Sequence, residues 1–127
     1  MALFGTDSLV LRYSNLEQAK RWWMDAFDCK AVRVPSEWDD PLPSDVALKL
    51  PGYDEPTILL SDRTGAEQAH LDRSVAVPVI FSSRLRKAHE HLSRRGITVG
   101  QIQGDEAPHF FEIRDIEGNV IEICEET

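Results

Sequence analysis

The sequence predicts an α+β fold made of one unit used twice, each running strand-helix-strand-strand-strand. Three observations carry this. Residues 110–126 hold two alternating apolar/polar runs around Arg114-Asp115-Ile116-Glu117-Gly118-Asn119, the pattern of a β-hairpin whose Gly and Asn tolerate positive φ. Two amphipathic helices recur, and a shift of 69 residues lays Leu16 on Leu85, Ala19 on Ala88 and Trp23 on Leu92. The same kinds of element follow each helix, and a repeated order marks a repeated unit.

Taken in order, residues 8–14 (S-L-V-L-R-Y-S) read as the first strand. Asn15 starts a helix, because its short side chain can accept from free backbone N–H groups. Leu16, Ala19, Trp23 and Phe27 recur at helical spacing, so this helix runs to about Phe27. Trp22 and Trp23 are adjacent; one faces the core and the other partly covers an edge or a partner surface. Residues 30–35 are a second strand, and the proline-rich, acidic residues 35–43 an extended loop. Residues 46–50 and 57–62 are strands around a turn at 51–56. Residues 63–73 break the pattern and read as a linker between a first module at 8–62 and a second at 75–126. Residues 75–82 are a strand. Leu85, Ala88 and Leu92 share one side of a helix that stops at Gly96, where a left-handed residue ends the turn. Residues 97–103 are a strand, 104–108 a loop, and the hairpin follows.

The 127 residues suit a single domain with a real core. Net charge is −8, from 14 Lys and Arg against 22 Asp and Glu. That argues against nucleic acid, which needs concentrated cations. Basic residues cluster only within 84–95, on what reads as a solvated helix face. No run approaches the roughly 18 apolar residues of a membrane span. The opening M-A-L-F-G-T-D-S lacks the pattern of a signal peptide, so the expected location is cytoplasmic. Cys29 and Cys124 are far apart and form no C-x-x-C; they read as free thiols of a reducing compartment.

Within the hairpin, Phe111, Ile113, Ile121 and Ile123 share one apolar face. Phe110, Glu112, Arg114, Val120, Glu122 and Cys124 share the other. A strand that alternates this way turns its apolar face to a helix and its other face to solvent or a cavity. Glu122 therefore either meets water or lines a pocket.

Three pieces of the sequence resemble the vicinal oxygen chelate superfamily of glyoxalases, bleomycin-resistance proteins and extradiol dioxygenases. S-N-L-E-Q-A-K-R-W-W-M-D-A-F resembles the family's first turn and helix, with Trp22-Trp23 at an aromatic pair and Phe27-Asp28 in place of Leu-Gly. L-x-x-x-G at residues 92–96 matches the end of the second helix. F-E-I-R-D-I-E-G-N-V-I-E-I resembles the closing Phe-x-x-x-Asp-Pro-x-Gly-Asn-x-Ile-Glu-Leu signature, with Ile116 where proline is usual. The resemblance implies two βαβββ modules forming cupped, mostly antiparallel sheets, with the helices outside and a ligand cavity within. In the family's enzymes a divalent metal there acts as a Lewis acid on two adjacent substrate oxygens.

Carried over residue by residue, the family's metal positions fall on Ser8, on Leu59, on Val77 (or Ala76 one register away) and on Glu122. Only Glu122 is a usual ligand, and zinc, nickel or iron take about three or four. His89 and His91 lie two apart on a helix and so point about 200° apart. His70 falls in the linker, and His109 has parity opposite to Glu122. A rearranged site using His109 or His70 with Glu122 stays open.

Glu122 has two readings. It is ion-paired inside the cavity, with Arg114 as its cross-strand diagonal neighbour, or it contacts a polar ligand together with Arg12. Trp38, in the proline-rich loop, either stacks on a flat ligand or packs on its own prolines. The candidate ligand-binding residues are Glu122, Arg12, Arg114, Ser8 and Trp38. The leading expectation is a metal-independent protein that holds a small organic molecule. The alternatives are a lyase, isomerase or dioxygenase using zinc, nickel or iron, and a module kept for partner binding. Surplus aromatic surface at Trp22, Trp23 and residues 35–43, with Pro78 breaking a ladder at a sheet edge or module junction, predicts a homodimer, side by side or module-exchanged.

Overall fold

The computed structural model describes residues 3–38, 42–62 and 77–126. In the first half, β1 (Leu9–Arg12), α1 (Leu16–Phe27), β2 (Lys30–Val32), β3 (Val46–Lys49) and β4 (Ile58–Ser61) follow one another. In the second come β5 (Val79–Ser82), α2 (Leu85–Arg94), β6 (Phe110–Arg114) and β7 (Val120–Glu125). The first sheet has the order β1-β4-β3-β2, the second β5-β7-β6. Each contains one parallel pair, β1 with β4 and β5 with β7; its other pairs are antiparallel. The expected linker at 63–73, and His70 within it, lie outside the described residues.

Each helix forms for reasons visible in its residues. The Asn15 side chain accepts from the Gln18 N–H at 3.1 Å and caps α1. Ala19, Trp23, Ala26 and Phe27 bury one stripe of it. Trp23 is fully buried, stacked on Phe27 at 4.8 Å, while half-buried Trp22 meets it edge-on. That is the division expected of the pair. Asp28 ends α1 in the left-handed conformation, φ 58°, where the family pattern has glycine. Its carboxylate takes the Arg95 guanidinium at 2.7 Å, tying the end of α1 to the end of α2. On α2, Leu85, Ala88 and Leu92 are buried, and Gly96 (φ 78°) stops it. One core draws on both halves: Trp23, Leu48 and Leu60 belong to the same cluster as Ile80, Leu92 and Phe111. Each large apolar side chain there contributes about 1.5–3 kcal/mol by burial.

The hairpin keeps the predicted parity. Phe111, Ile113, Ile121 and Ile123 are buried, while Glu112 and Arg114 are exposed and Phe110, Val120, Glu122 and Cys124 half-buried. At its tip the Gly118 N–H donates to the Asp115 carbonyl at 3.0 Å, and Gly118 has φ 83°. Asn119 does not share that conformation. It contributes hydrogen bonds instead, from its N–H (2.8 Å) and its Nδ2 (3.1 Å) to the Asp115 carboxylate.

The strand expected at 97–103 is not continuous. Val99 bridges Ile113 and Gln103 bridges Phe110. Four steps on one segment therefore face three on the other, which is the signature of a bulge with one extra residue. Gly100 sits in it, its N–H 2.7 Å from the Glu112 carbonyl. A Cβ at Gly100 would stand 3.3 Å from that oxygen. Alternation in the sequence does not reveal an inserted residue, and a strand was the natural reading.

Candidate functional site

The two sheets present outer strands to each other. β1 and β5 are each a sheet edge. The segment before β1 joins them: Gly5 exchanges two backbone hydrogen bonds with Phe81 (2.8 and 2.6 Å), and the Thr6 hydroxyl donates to the Val79 carbonyl at 3.2 Å. Beyond this junction the edges part and leave a groove. It consists of two adjoining clefts of about 290 and 310 Å³ that share Val10, Leu11, Val77 and Pro78. Each lies at the lower end of the range for small-molecule sites, about 300–1,000 Å³.

Pro78 lines both clefts, just ahead of β5. Its carbonyl accepts from the Glu122 N–H at 2.9 Å, which fixes it to β7. It has no N–H of its own, so the start of this segment makes one bond fewer to β7. Neighbouring Val77 is 44% exposed. The expectation that Pro78 marks an edge at the junction of the two halves matches this position.

One end of the groove is closed by a buried polar network. Tyr13 follows β1, and its hydroxyl donates to Asp115 Oδ2 at 2.6 Å. Trp23 Nε1 donates to the same hydroxyl at 2.9 Å. Asp115 Oδ1 accepts from the N–H groups of Glu117 (3.0 Å) and Asn119 (2.8 Å). Tyr13 is 1% exposed and Asp115 7%. Burial, then the Asp115 hydrogen bond and charge, push the Tyr13 hydroxyl well above its ordinary pKa, so it remains a proton donor. Next to this network the Glu117 carboxylate accepts from Ser14 N–H (2.9 Å), Asn15 N–H (3.0 Å) and the Ser14 hydroxyl (2.8 Å). Burial alone would raise the Glu117 pKa; those donors and the Arg12 charge outweigh it and hold it below the usual carboxylate value.

Of the five sequence-predicted residues, two lie in the groove. Arg12 lines the cleft that Tyr13 and Asp115 close, and Ser8 lines the other. Glu122 lines neither. It stands one strand inward, opposite Val79 on β5 and Glu112 on β6. Two like charges directly across a ladder repel. Arg114 has the predicted diagonal register to Glu122, and its Nη1 donates to the Gly118 carbonyl at 3.2 Å. Burial, then the charges of Glu122 and Glu125, raise the Cys124 thiol pKa. Trp38 is half-buried at a turn where its N–H donates to the Pro35 carbonyl at 3.2 Å, away from both clefts. Tyr13, Asp115 and Pro78 were not among the candidates. Asp115 had a signal: an Asp opening a turn that ends in Gly-Asn is placed to collect the turn's N–H groups.

Among the described residues, the side chains at the family's metal positions do not make up a divalent-metal site. At the family's positions stand Ser8, Leu59, Val77 and Glu122, a single carboxylate among them. Ala76, the alternative to Val77, lies outside the described residues. His89 Nε2 bonds the Gly100 carbonyl (2.9 Å), His91 Nε2 the Ala26 carbonyl (3.0 Å), and His109 Nδ1 meets Glu125 at 3.2 Å. Among the described residues no three His, Cys, Asp or Glu side chains gather in a way that could hold an ion. Nor is any described helix long and apolar enough to cross a membrane.

Comparison with known proteins agrees with this architecture. The model of the Glyoxalase/Bleomycin resistance protein/Dioxygenase superfamily matches residues 5–123. No curated protein matches the chain. Among solved structures, TnmS3, an antibiotic binding protein from Streptomyces sp. CB03234, aligns with a TM-score of 0.71 at 17% identity, covering 100% of this chain and 99% of its own. The fosfomycin resistance protein FosX from Mesorhizobium loti aligns with a TM-score of 0.60 at 12% identity, covering 97% and 92%. A superfamily member from Sphaerobacter thermophilus DSM 20745 aligns with a TM-score of 0.67 at 16% identity, covering 96% and 97%.

Proposed function

The chain belongs to the Glyoxalase/Bleomycin resistance protein/Dioxygenase superfamily, and from that premise we propose that it is a metal-independent binding protein for a small organic molecule. The observation that carries the reading is the groove between β1 and β5: open, walled by apolar residues and furnished with Arg12 at one end. Mostly apolar walls with a few placed polar groups are what small-molecule sites consist of. The antibiotic-binding and resistance functions named for TnmS3 and FosX support the same class. An open, lined groove favours binding over a module kept only for partner contacts.

In this reading Arg12 and Ser8 touch the ligand, and Glu122 with Arg114 forms the charged face beside it. Trp38 serves its own loop. The working form is a homodimer, supported by the half-buried apolar side chains Val79, Phe81, Phe110 and Val120 on one face of the second sheet. The test is metal analysis of protein purified without chelators, together with a thermal-shift screen of aromatic and peptide antibiotics. The expected result is no stoichiometric transition metal and a raised Tm with at least one ligand, since binding to the native state adds stability. Stoichiometric zinc, nickel or iron that Glu122→Gln removes would establish the metal-dependent alternative instead.

A further inference from the structure

We propose that a cleft on the helix side of the second sheet is a further binding site, for a phosphate monoester with an apolar or aromatic body. It shares no lining residue with the groove between β1 and β5, so it does not depend on what that groove holds. Its volume of about 430 Å³ lies within the range of small-molecule sites. Arg84, Arg86 and Lys87 line it with cations, and Leu85 and Ile102 with apolar surface. His109 and Glu125, from the two strands of the hairpin sheet, form the remaining wall. The other cations of the two helices are paired: Lys20 and Arg21 with Glu17, Arg94 with Glu90, and Arg95 with Asp28. Arg84, Arg86 and Lys87 are exposed and join no ion pair among the described residues. The one carboxylate among the cleft's lining residues is engaged elsewhere. Glu125 Oε1 accepts from the His109 N–H and meets His109 Nδ1, both at 3.2 Å. Those bonds hold the Glu125 pKa below the usual carboxylate value.

The helix itself gains nothing from this cluster. α2 has no acid in its first turn, and cations there oppose its dipole. A local arrangement that costs stability is expected where a site needs it. The chemistry of the three side chains names the ligand. Two guanidinium forks offer paired N–H donors that match phosphate oxygens, and Lys87 adds a point charge. A doubly charged phosphate compensates most of the cluster, whereas a carboxylate would leave two of the three cations uncompensated. Ile102, 38% exposed, and Leu85 then meet the body of the ester. A membrane surface or a nucleic acid would extend past this one turn and meet a chain of net charge −8.

The test titrates phenyl phosphate, inorganic phosphate and benzoate into the full chain at constant ionic strength, followed by backbone amide NMR shifts. Phenyl phosphate is expected to shift Leu85, Arg86, Lys87 and Ile102 and to leave Val10 and Leu11 of the groove in place. It should bind about threefold tighter than inorganic phosphate, through its apolar contact, and about fivefold tighter than benzoate, the size of one exposed ion pair. Ile102→Ser should remove the first advantage. Arg84→Gln, Arg86→Gln and Lys87→Gln should each weaken phenyl phosphate about threefold, and the triple variant should abolish its shifts. Arg94→Gln, on the same helix but paired with Glu90, should change nothing. Native amide dispersion shows that each variant folds. Benzoate binding as tightly as phenyl phosphate, shifts that survive the triple substitution, or no shift at residues 84–87 overturns the proposal. Sedimentation with phosphatidylcholine vesicles containing phosphatidylserine is the second arm. Cosedimentation that the triple variant loses would assign the cations to a lipid headgroup and overturn a soluble ligand.

Discussion

The two helices hold equivalent places in the two halves, yet their first turns are built differently. α1 begins at Asn15, whose side chain caps Gln18, and Glu117 from the far hairpin accepts from the N–H groups of Ser14 and Asn15 just ahead of it. Glu17 adds a negative charge in the first turn, where the helix dipole favours one. α2 begins at Arg84 with no side-chain cap hydrogen bond and no acidic residue in its first turn. Arg84, Arg86 and Lys87 place positive charge at the positive end of that dipole. The first helix is thus started by polar groups, part of them borrowed from the other half. The second has one such bond, from the Arg84 N–H to the Ser82 hydroxyl oxygen at 3.1 Å, and is held mainly by burial of Leu85, Ala88 and Leu92.

Three substitutions break or sharpen that contrast. The largest effect is expected for Leu92→Ala, which leaves a cavity under the helix that lacks a cap. A loss of about 2–5 kcal/mol in urea unfolding is expected. Glu117→Gln should cost about 1 kcal/mol at neutral pH, the size of a helix cap. Its pH dependence follows from the depressed Glu117 pKa. The native carboxylate contributes fully above the unfolded value of about 4.3, and the contribution fades as pH falls through the folded value. Wild type and variant should therefore differ at pH 7 and converge in acid; a constant gap across that range contradicts the assignment. The smallest effect is a gain. Arg84→Asp supplies a cap and removes a misplaced charge, and should stabilise α2 by about 0.5–1 kcal/mol. An unchanged Tm would show that this turn is satisfied in another way.

The same contrast separates what the sequence revealed from what it did not. Period-two alternation at residues 110–125 and the 3.6-period stripe of α1 are local, and both appear as read. Gly96 and Asn15 announced their helix ends because each has a side chain, or lacks one, suited to that backbone position. Asp28 in a left-handed conformation was marked only by the glycine usual at that place in the family pattern, since Asp visits that conformation only occasionally. The bulge near Gly100 was hidden because one extra residue changes register without changing composition. The groove was hidden for another reason. It depends on how two sheet edges face each other across the junction at Gly5 and Phe81, and no pattern within either half encodes that. Ser8 and Arg12 were found because one strand places both. Asp115 was missed because the turn motif advertised its glycine and asparagine more loudly than the carboxylate that gathers them.

The Tyr13–Asp115 hydrogen bond joins residues 102 positions apart, and the Glu117–Ser14 bonds join residues 103 apart. Such separations slow folding, because the intervening chain must be ordered before the contact rewards it. During synthesis α1 leaves the ribosome long before the carboxylates that finish its start. A nascent chain stopped short of Asp115 would lack a hairpin at one end and an anchored helix at the other. The first structure made is among the last completed, so C-terminal truncation should be felt first at residues 13–18.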